Sequence, residues 1–126
     1  LRLRPKYYVV DMAFKQLLLP DINRDRGHIL ENVVYLELRR RGYTVYVGQL
    51  TKGEIDFVAQ KPGGILEYYQ VSESVLDPAT RDRELAPLEA VNDQYPKFLL
   101  TMDELYKPHN YNGIQQCNVL DWLLGM

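Results

Sequence analysis

Four side chains of the sequence have the types and the order along the chain that metal-assisted phosphodiester chemistry uses. Glu31 lies early in a predicted helix, Asp56 lies within a predicted strand, and Gln70 and Ser72 lie near the end of the next predicted strand. Oxygen ligands from neighbouring elements can hold Mg²⁺ beside a phosphate, and a nearby cation then assists the attacking water. Glu54 adds a carboxylate two residues before Asp56, so the predicted metal ligands are Glu31, Glu54 and Asp56.

Two of these positions carry residues that are poorly suited to the reaction. Gln70 offers only a neutral carbonyl oxygen to a hard cation, and Ser72 supplies no positive charge near the nucleophile. Side chains alternate between the two faces of a strand, so Glu67 should lie opposite Gln70 and cannot replace it. By the same alternation Glu54 should share the face of Asp56. The set of Glu31, Asp56, Gln70 and Ser72 therefore has one neutral ligand and no cation of its own.

Two other interpretations of the same residues remain open. In a rebuilt active site, Glu54 is a third oxygen ligand and Lys52, Arg81 or Arg83 supplies a cation that has moved to another element. In a purely structural interpretation, the carboxylates form ion pairs or hydrogen-bond a turn, and Gln70 completes a buried amide network. The residue types alone do not separate these alternatives.

The elements that must position these residues follow from periodicity and turn signals. Apolar positions at helical spacing predict a helix from about His28 to Arg41, which Gly42 ends. Before it we predict a strand over 7–10, a helix over 12–19 and a loop over 20–27. After it we predict strands over 44–50, 54–60 and 65–72, a helix over 78–91 with a break near Pro87, strands over 97–101 and 113–119, and a helix over 121–124. Short connections make the three central strands an antiparallel meander.

The order of helix, three strands, helix and strand predicts an α/β fold with one mixed central sheet flanked by helices. The 126 residues suit a single domain over 1–126, and hydrophobic residues make up 46% of the chain, enough for one core. A lone cysteine, Cys117, and the lack of any membrane-spanning apolar run favour a cytoplasmic protein without membrane contact. The net charge of −2 gives no general attraction for DNA, although Arg39, Arg40 and Arg41 form a local basic patch.

Three segments of the sequence carry a resemblance to a known family. The helix Gly27–Tyr35, the strand Glu54–Val58 and the strand Tyr69–Ser72 resemble the C-terminal domain of a large family of prokaryotic AAA-type ATPases. Leu99–Asp103 is also similar, and the resemblance runs from about Lys6 to Gly125. That domain has no established function and is itself similar to the PD-(D/E)XK nucleases.

The resemblance implies a restriction-endonuclease-like core of αβββαβ order. It implies that Glu31 is the helix glutamate, Asp56 the metal-binding aspartate, Gln70 the acidic position of the (D/E)XK tripeptide and Ser72 its lysine. Because Gln70 and Ser72 depart from that pattern, the resemblance implies a degenerate catalytic site of Glu31, Asp56, Gln70 and Ser72. An ATPase domain would precede Leu1 and would bind the ATP, because no glycine-rich phosphate loop occurs in this chain.

We therefore expect a nuclease-like accessory domain of an ATPase, degenerate in catalysis, that binds nucleic acid such as DNA or another protein. The alternatives are an active Mg²⁺-dependent endonuclease and a structural or oligomerisation module. The oligomeric state does not follow from the sequence.

Overall fold

The computed structural model describes residues 1–5, 26–106 and 109–125. The strand predicted over 7–10, the helix predicted over 12–19 and most of the loop predicted over 20–27 lie outside the described residues. The described strands are β1 (Arg2–Pro5), β2 (Thr44–Gln49), β3 (Glu54–Gln60), β4 (Leu66–Val71), β5 (Lys97–Thr101), β6 (His109–Tyr111) and β7 (Ile114–Asn118). The described helices are α1 (Arg26–Arg40), α2 (Pro78–Glu89) and α3 (Val119–Leu123).

One mixed sheet joins the seven described strands in the order β1-β2-β3-β4-β5-β7-β6. Strands β1 to β4 pair antiparallel, and the short turns between β2, β3 and β4 form the predicted meander. β4, β5 and β7 run parallel, and α2 provides the crossover from β4 to β5 that a parallel pair requires. The predicted α/β class with a mixed sheet and helices is confirmed.

Apolar side chains form two clusters of the core. One cluster joins α1 and α3 to the sheet and contains Val34, Leu38, Phe57, Tyr69 and Trp122 among its buried residues. The other joins α2 to the sheet and contains Ile55, Val58, Tyr68, Leu88 and Leu99. Tyr68 and Tyr69 therefore pack in different clusters, as the predicted alternation along β4 requires.

The differences from the prediction lie mainly at the edges of the sheet. β1 and β6 were not predicted, because β1 is a basic segment with every residue exposed and β6 has only three residues. The helix predicted to break near Pro87 continues through it and ends two residues later, at Glu89. The proline lies in the last turn, where few later backbone groups depend on the helical hydrogen bonds. Gly42 follows α1 with φ 87°, a conformation that favours glycine.

Among the described residues, no helix combines the length and the apolar character that crossing a membrane demands.

Candidate functional site

Asp56 lies at a bulge in β3. Tyr46 pairs with Val58 and Gly48 pairs with Ile55, so two residues of β3, Asp56 and Phe57, stand opposite one residue of β2. A β-bulge of this kind interrupts the ladder and redirects the side chains near it. Ile55 and Val58 consequently pack in the same core cluster, although strict alternation would separate them. The predicted shared face of Glu54 and Asp56 therefore cannot be derived from alternation alone.

Close to this bulge, β3 and β4 are joined by side chains as well as by backbone pairs. The last backbone pair is Phe57 with Tyr69. Beyond it, the Asp56 backbone N–H donates to Gln70 Oε1 at 2.7 Å, and the Val71 N–H donates to Asp56 Oδ2 at 3.0 Å. The two side chains thus take the place of ladder partners where the strands part. We call this reciprocal pair of hydrogen bonds the Asp56–Gln70 lock.

The amide group of Gln70 also connects the lock to α2. Gln70 Nε2 donates to the backbone oxygen of Glu84 at 3.2 Å and lies 3.5 Å from the backbone oxygen of Glu54. Gln70 is 3% exposed, so these partners replace water for a buried amide. The position therefore requires a side chain that accepts one hydrogen bond and donates another, as the Gln70 amide does.

Ser72 lies just past the end of β4. Its hydroxyl donates to the Ser74 backbone oxygen at 3.0 Å, and its backbone N–H donates to the Leu100 oxygen at 3.0 Å. Both contacts serve the local backbone. Ser72 therefore brings no charge toward Asp56.

Glu54 and Asp56 line the same open cleft, but Glu54 and Glu31 each have a basic side chain nearby. Glu54 Oε1 accepts from Arg4 Nη2 at 2.7 Å, which links β3 to β1. Glu31 Oε2 lies 3.6 Å from His28 Nδ1 on the same helix. No group of three or more His, Cys, Asp or Glu side chains within residues 1–5, 26–106 and 109–125 is arranged to hold a metal ion. The three predicted metal ligands therefore do not form a metal cluster in this structure.

Glu67, which alternation placed opposite Gln70, is engaged elsewhere. Its Oε1 accepts from the Tyr69 hydroxyl at 2.8 Å, and its Oε2 lies 3.2 Å from Lys61 Nζ. Burial and the charge of Glu67 raise the pKa of Tyr69, so this hydroxyl remains a donor. Glu67 does not replace Gln70, as predicted.

An open cleft of about 400 Å³ lies over the lock. Its lining includes Asp56 and Gln70 from the sheet, Glu84 from α2, and two of the three candidate cations, Lys52 and Arg83. The third candidate, Arg81, lines a different cavity, and its guanidinium lies 5.8 Å from the centre of the Tyr111 ring. We refer to this site as the lock cleft.

Glu84 is a residue of the lock cleft that the sequence did not identify. Burial raises the pKa of the Glu84 carboxyl, the charge of Arg83 lowers it, and the charge of Glu31 raises it. Glu31 on α1 and Glu84 on α2 are therefore close enough to interact. Glu84 follows Arg83 in a charged helical segment, and nothing in that local pattern separates it from an ordinary surface glutamate.

The predicted basic patch at the end of α1 is largely occupied by contacts within the protein. Glu37 accepts from Arg40 at 2.7 Å and from Arg41 at 2.8 Å, and these contacts lower its pKa to about 2. Arg41 also donates to the Trp122 backbone oxygen at 2.8 Å. Arg39 donates to the Tyr43 oxygen. These contacts favour a structural role for the patch.

Comparison with known proteins relates this chain to part of a longer one. A protein of Haemophilus influenzae (strain Rd), described as "Uncharacterized protein", is 36% identical over 124 residues. The match covers 98% of this chain and 30% of that relative, so the chain spans about 30% of the relative's length. No family model matches the chain. No solved structure matches it either.

Proposed function

We propose that this chain is a restriction-endonuclease-like accessory domain that has lost nuclease activity and acts in binding nucleic acid or another protein. The observation that carries the proposal is the Asp56–Gln70 lock. Asp56 and Gln70, two of the four predicted catalytic positions, accept from backbone N–H groups through their side-chain oxygens. A site built in this way stabilises the separation of β3 and β4 without any metal ion.

The residues of the lock are poorly equipped for catalysis. Gln70 Oε1 already accepts from the Asp56 N–H, and its remaining lone pair offers a cation only a neutral oxygen. Ser72 would still contribute no charge to the transition state. Losing one positioned electrostatic contact commonly costs about 100 to 1,000-fold in rate, so the two losses together leave little cleavage.

The accessory role rests on the sequence resemblance and agrees with the comparison. Most of the Haemophilus influenzae relative lies outside the matched region, as expected if the chain is one part of a longer protein. In the proposed arrangement an ATPase domain of the same protein binds ATP. Mg²⁺ would matter to this domain only if the lock cleft were active.

A cleavage assay tests the proposal directly. We expect no cutting of plasmid, single-stranded or branched DNA by the 126-residue chain with Mg²⁺ or Mn²⁺. The matched variant is Asp56→Asn, because an amide oxygen can still accept from the Val71 N–H while the carboxylate charge is lost. Robust cleavage by the unaltered chain that disappears in Asp56→Asn would refute the degenerate site.

Metal affinity gives a second, independent measurement. Glu31 and Asp56 supply two carboxylates and Gln70 adds only a neutral amide oxygen, which together make a poor Mg²⁺ site. Calorimetric titration should therefore give a dissociation constant weaker than about 100 μM. Tighter binding by the unaltered chain, lost in Asp56→Asn, would contradict the proposal even if no substrate were cut.

The second candidate is an active Mg²⁺-dependent endonuclease with a rebuilt site. The observation that favours it is the presence of Lys52 and Arg83 in the same cleft as Asp56. If it is correct, Lys52→Ala or Arg83→Ala should lower cleavage by about 100-fold or more while leaving the fold intact. Thermal unfolding of each variant provides the control.

A further inference from the structure

We propose that Lys52 and Arg83, together with Arg2, bind the phosphodiester backbone of a nucleic acid and hold it across the lock cleft. We call these three residues the basic rim. The inference rests on the proposed function and deepens it, because it names the partner class and the residues that bind it.

The basic rim borders two neighbouring clefts. Lys52 lies in the turn between β2 and β3 and lines the lock cleft together with Arg83. Lys52 also lines a second open cleft of about 740 Å³, together with Arg2 and Gln49. Because the two clefts share Lys52, the three cations line two adjoining clefts. Cations spread over adjoining clefts suit a polyanion with repeated phosphates better than a single compact anion.

The cations of the basic rim differ from most other described cations in their partners. Lys61 and Lys97 form ion pairs at 3.2 and 3.0 Å, and four arginines pair with glutamates: Arg4, Arg26, Arg40 and Arg41. By contrast, Arg2, Lys52 and Arg83 have no carboxylate within 4.0 Å among the residues that the structure describes. Lys52 and Arg83 are exposed. Among the described residues, no ion pair neutralises these three charges.

The acidic side chains of the lock cleft favour phosphate binding at the exposed basic rim. Arg4 pairs with Glu54, and Asp56 and Glu84 line the same cleft as Lys52 and Arg83 but are less exposed than those two cations. A phosphate near these carboxylates is repelled, whereas a phosphate at the rim is attracted by the exposed cations. The arrangement predicts binding of the backbone without a metal ion and without cleavage.

Salt dependence of binding tests this assignment. A fluorescently labelled oligonucleotide, single-stranded or duplex, is titrated with the 126-residue chain in EDTA at several salt concentrations. Each lost phosphate contact reduces the slope of log K against log salt by about 0.7 on a single strand and about 0.9 on duplex DNA. Lys52→Ala with Arg83→Ala should therefore reduce the slope by about 1.4 or about 1.8.

The control variant removes two positive charges from the predicted basic patch on α1. Arg39→Ala with Arg40→Ala changes the net charge by the same amount at two exposed positions outside the lock cleft. We expect this variant to keep the slope of the unaltered chain. The charge-preserving pair Lys52→Arg with Arg83→Lys should also keep it. Thermal unfolding checks that all variants fold.

Several outcomes would overturn the inference. They are no oligonucleotide binding by the unaltered chain, an unchanged slope in the rim variant, or a reduced slope in the α1 control instead. Displacement of the oligonucleotide by an equal concentration of poly-glutamate would reassign the rim to an acidic protein partner. Because the assay contains no metal ion, these results are distinct from the cleavage result that would refute the degenerate site.

Discussion

Replacing Gln70 by glutamate changes one group of the lock and leaves the shape of the side chain intact. The introduced carboxyl can still accept from the Asp56 N–H, as Gln70 Oε1 does at 2.7 Å. When ionised it has no donor for the Glu84 backbone oxygen, which Gln70 Nε2 contacts at 3.2 Å. The substitution introduces the acid that the sequence resemblance predicts at this position, but we expect it to destabilise the protein at neutral pH.

The magnitude follows from burial and from the lost donor. Leaving the buried Glu84 oxygen without a partner costs about 1–3 kcal/mol, and ionising a carboxyl at this buried position adds a desolvation penalty. We therefore expect Gln70→Glu to lose at least about 2 kcal/mol of unfolding free energy at pH 7. Burial raises the folded-state pKa of the introduced carboxyl, so the folded state holds its proton to higher pH. The loss should grow as pH rises through that pKa, and it should be smallest at acidic pH.

Urea unfolding of the unaltered chain, Gln70→Glu and Gln70→Met at pH 5 and pH 7 measures these effects. Methionine keeps the approximate volume and lacks any group that titrates, so its destabilisation relative to the unaltered chain should be nearly the same at both pH values. Gln70→Glu should be distinctly less stable at pH 7 than at pH 5 by the same comparison. Equal stability of Gln70→Glu and the unaltered chain at pH 7, or a loss that does not change with pH, would refute this account of the lock.

Three further substitutions probe the surroundings. Glu84→Gln should stabilise the chain at pH 7, because burial raises the pKa of Glu84 and its charged form is disfavoured; the gain should vanish in urea unfolding at acidic pH. Glu37→Gln should be less stable than the unaltered chain at pH 7, and thermal melts should show the difference shrinking as pH falls from about 4.5 toward about 2. Gly48→Ala should cost about 1–3 kcal/mol in urea unfolding, because its Cβ would meet Val58 Cγ2 at 2.9 Å and Ile55 Cβ at 3.1 Å. An unchanged midpoint for any of the three would contradict the corresponding contact.

The order of the central elements could be predicted because their signals are local. The helical periodicity of α1 and the short turns around β3 can be recognised within short windows of sequence. The structure has these elements within one or two residues of the predicted limits. β1 could not be predicted in this way. It is an exposed basic segment that becomes a strand by pairing with residues of β2 that lie 41 to 47 positions further along the chain.

The sequence predicted most residues of the candidate site, but it predicted their contacts and roles less well. The sequence placed Asp56 and Gln70 on adjacent strands, and their side chains do contact the same pair of strands. It missed the bulge, because the extra residue in β3 is visible only in the register with β2. It also missed Glu84, which reaches the lock cleft because α2 crosses the sheet above Gln70.

The Asp56–Gln70 lock satisfies backbone N–H groups that the bulge in β3 and the departure of β4 leave without ladder partners. An extra residue in β3 leaves the Asp56 N–H without a ladder partner, and the departure of β4 after Tyr69 does the same for the Val71 N–H. A glutamine at position 70 satisfies the first group, and the carboxylate of Asp56 satisfies the second. A glutamate at position 70 would place two carboxylates at this point and would favour a bound cation between them. With Gln70 the same backbone is satisfied without that cation, so the presence of Asp56 does not by itself imply metal chemistry.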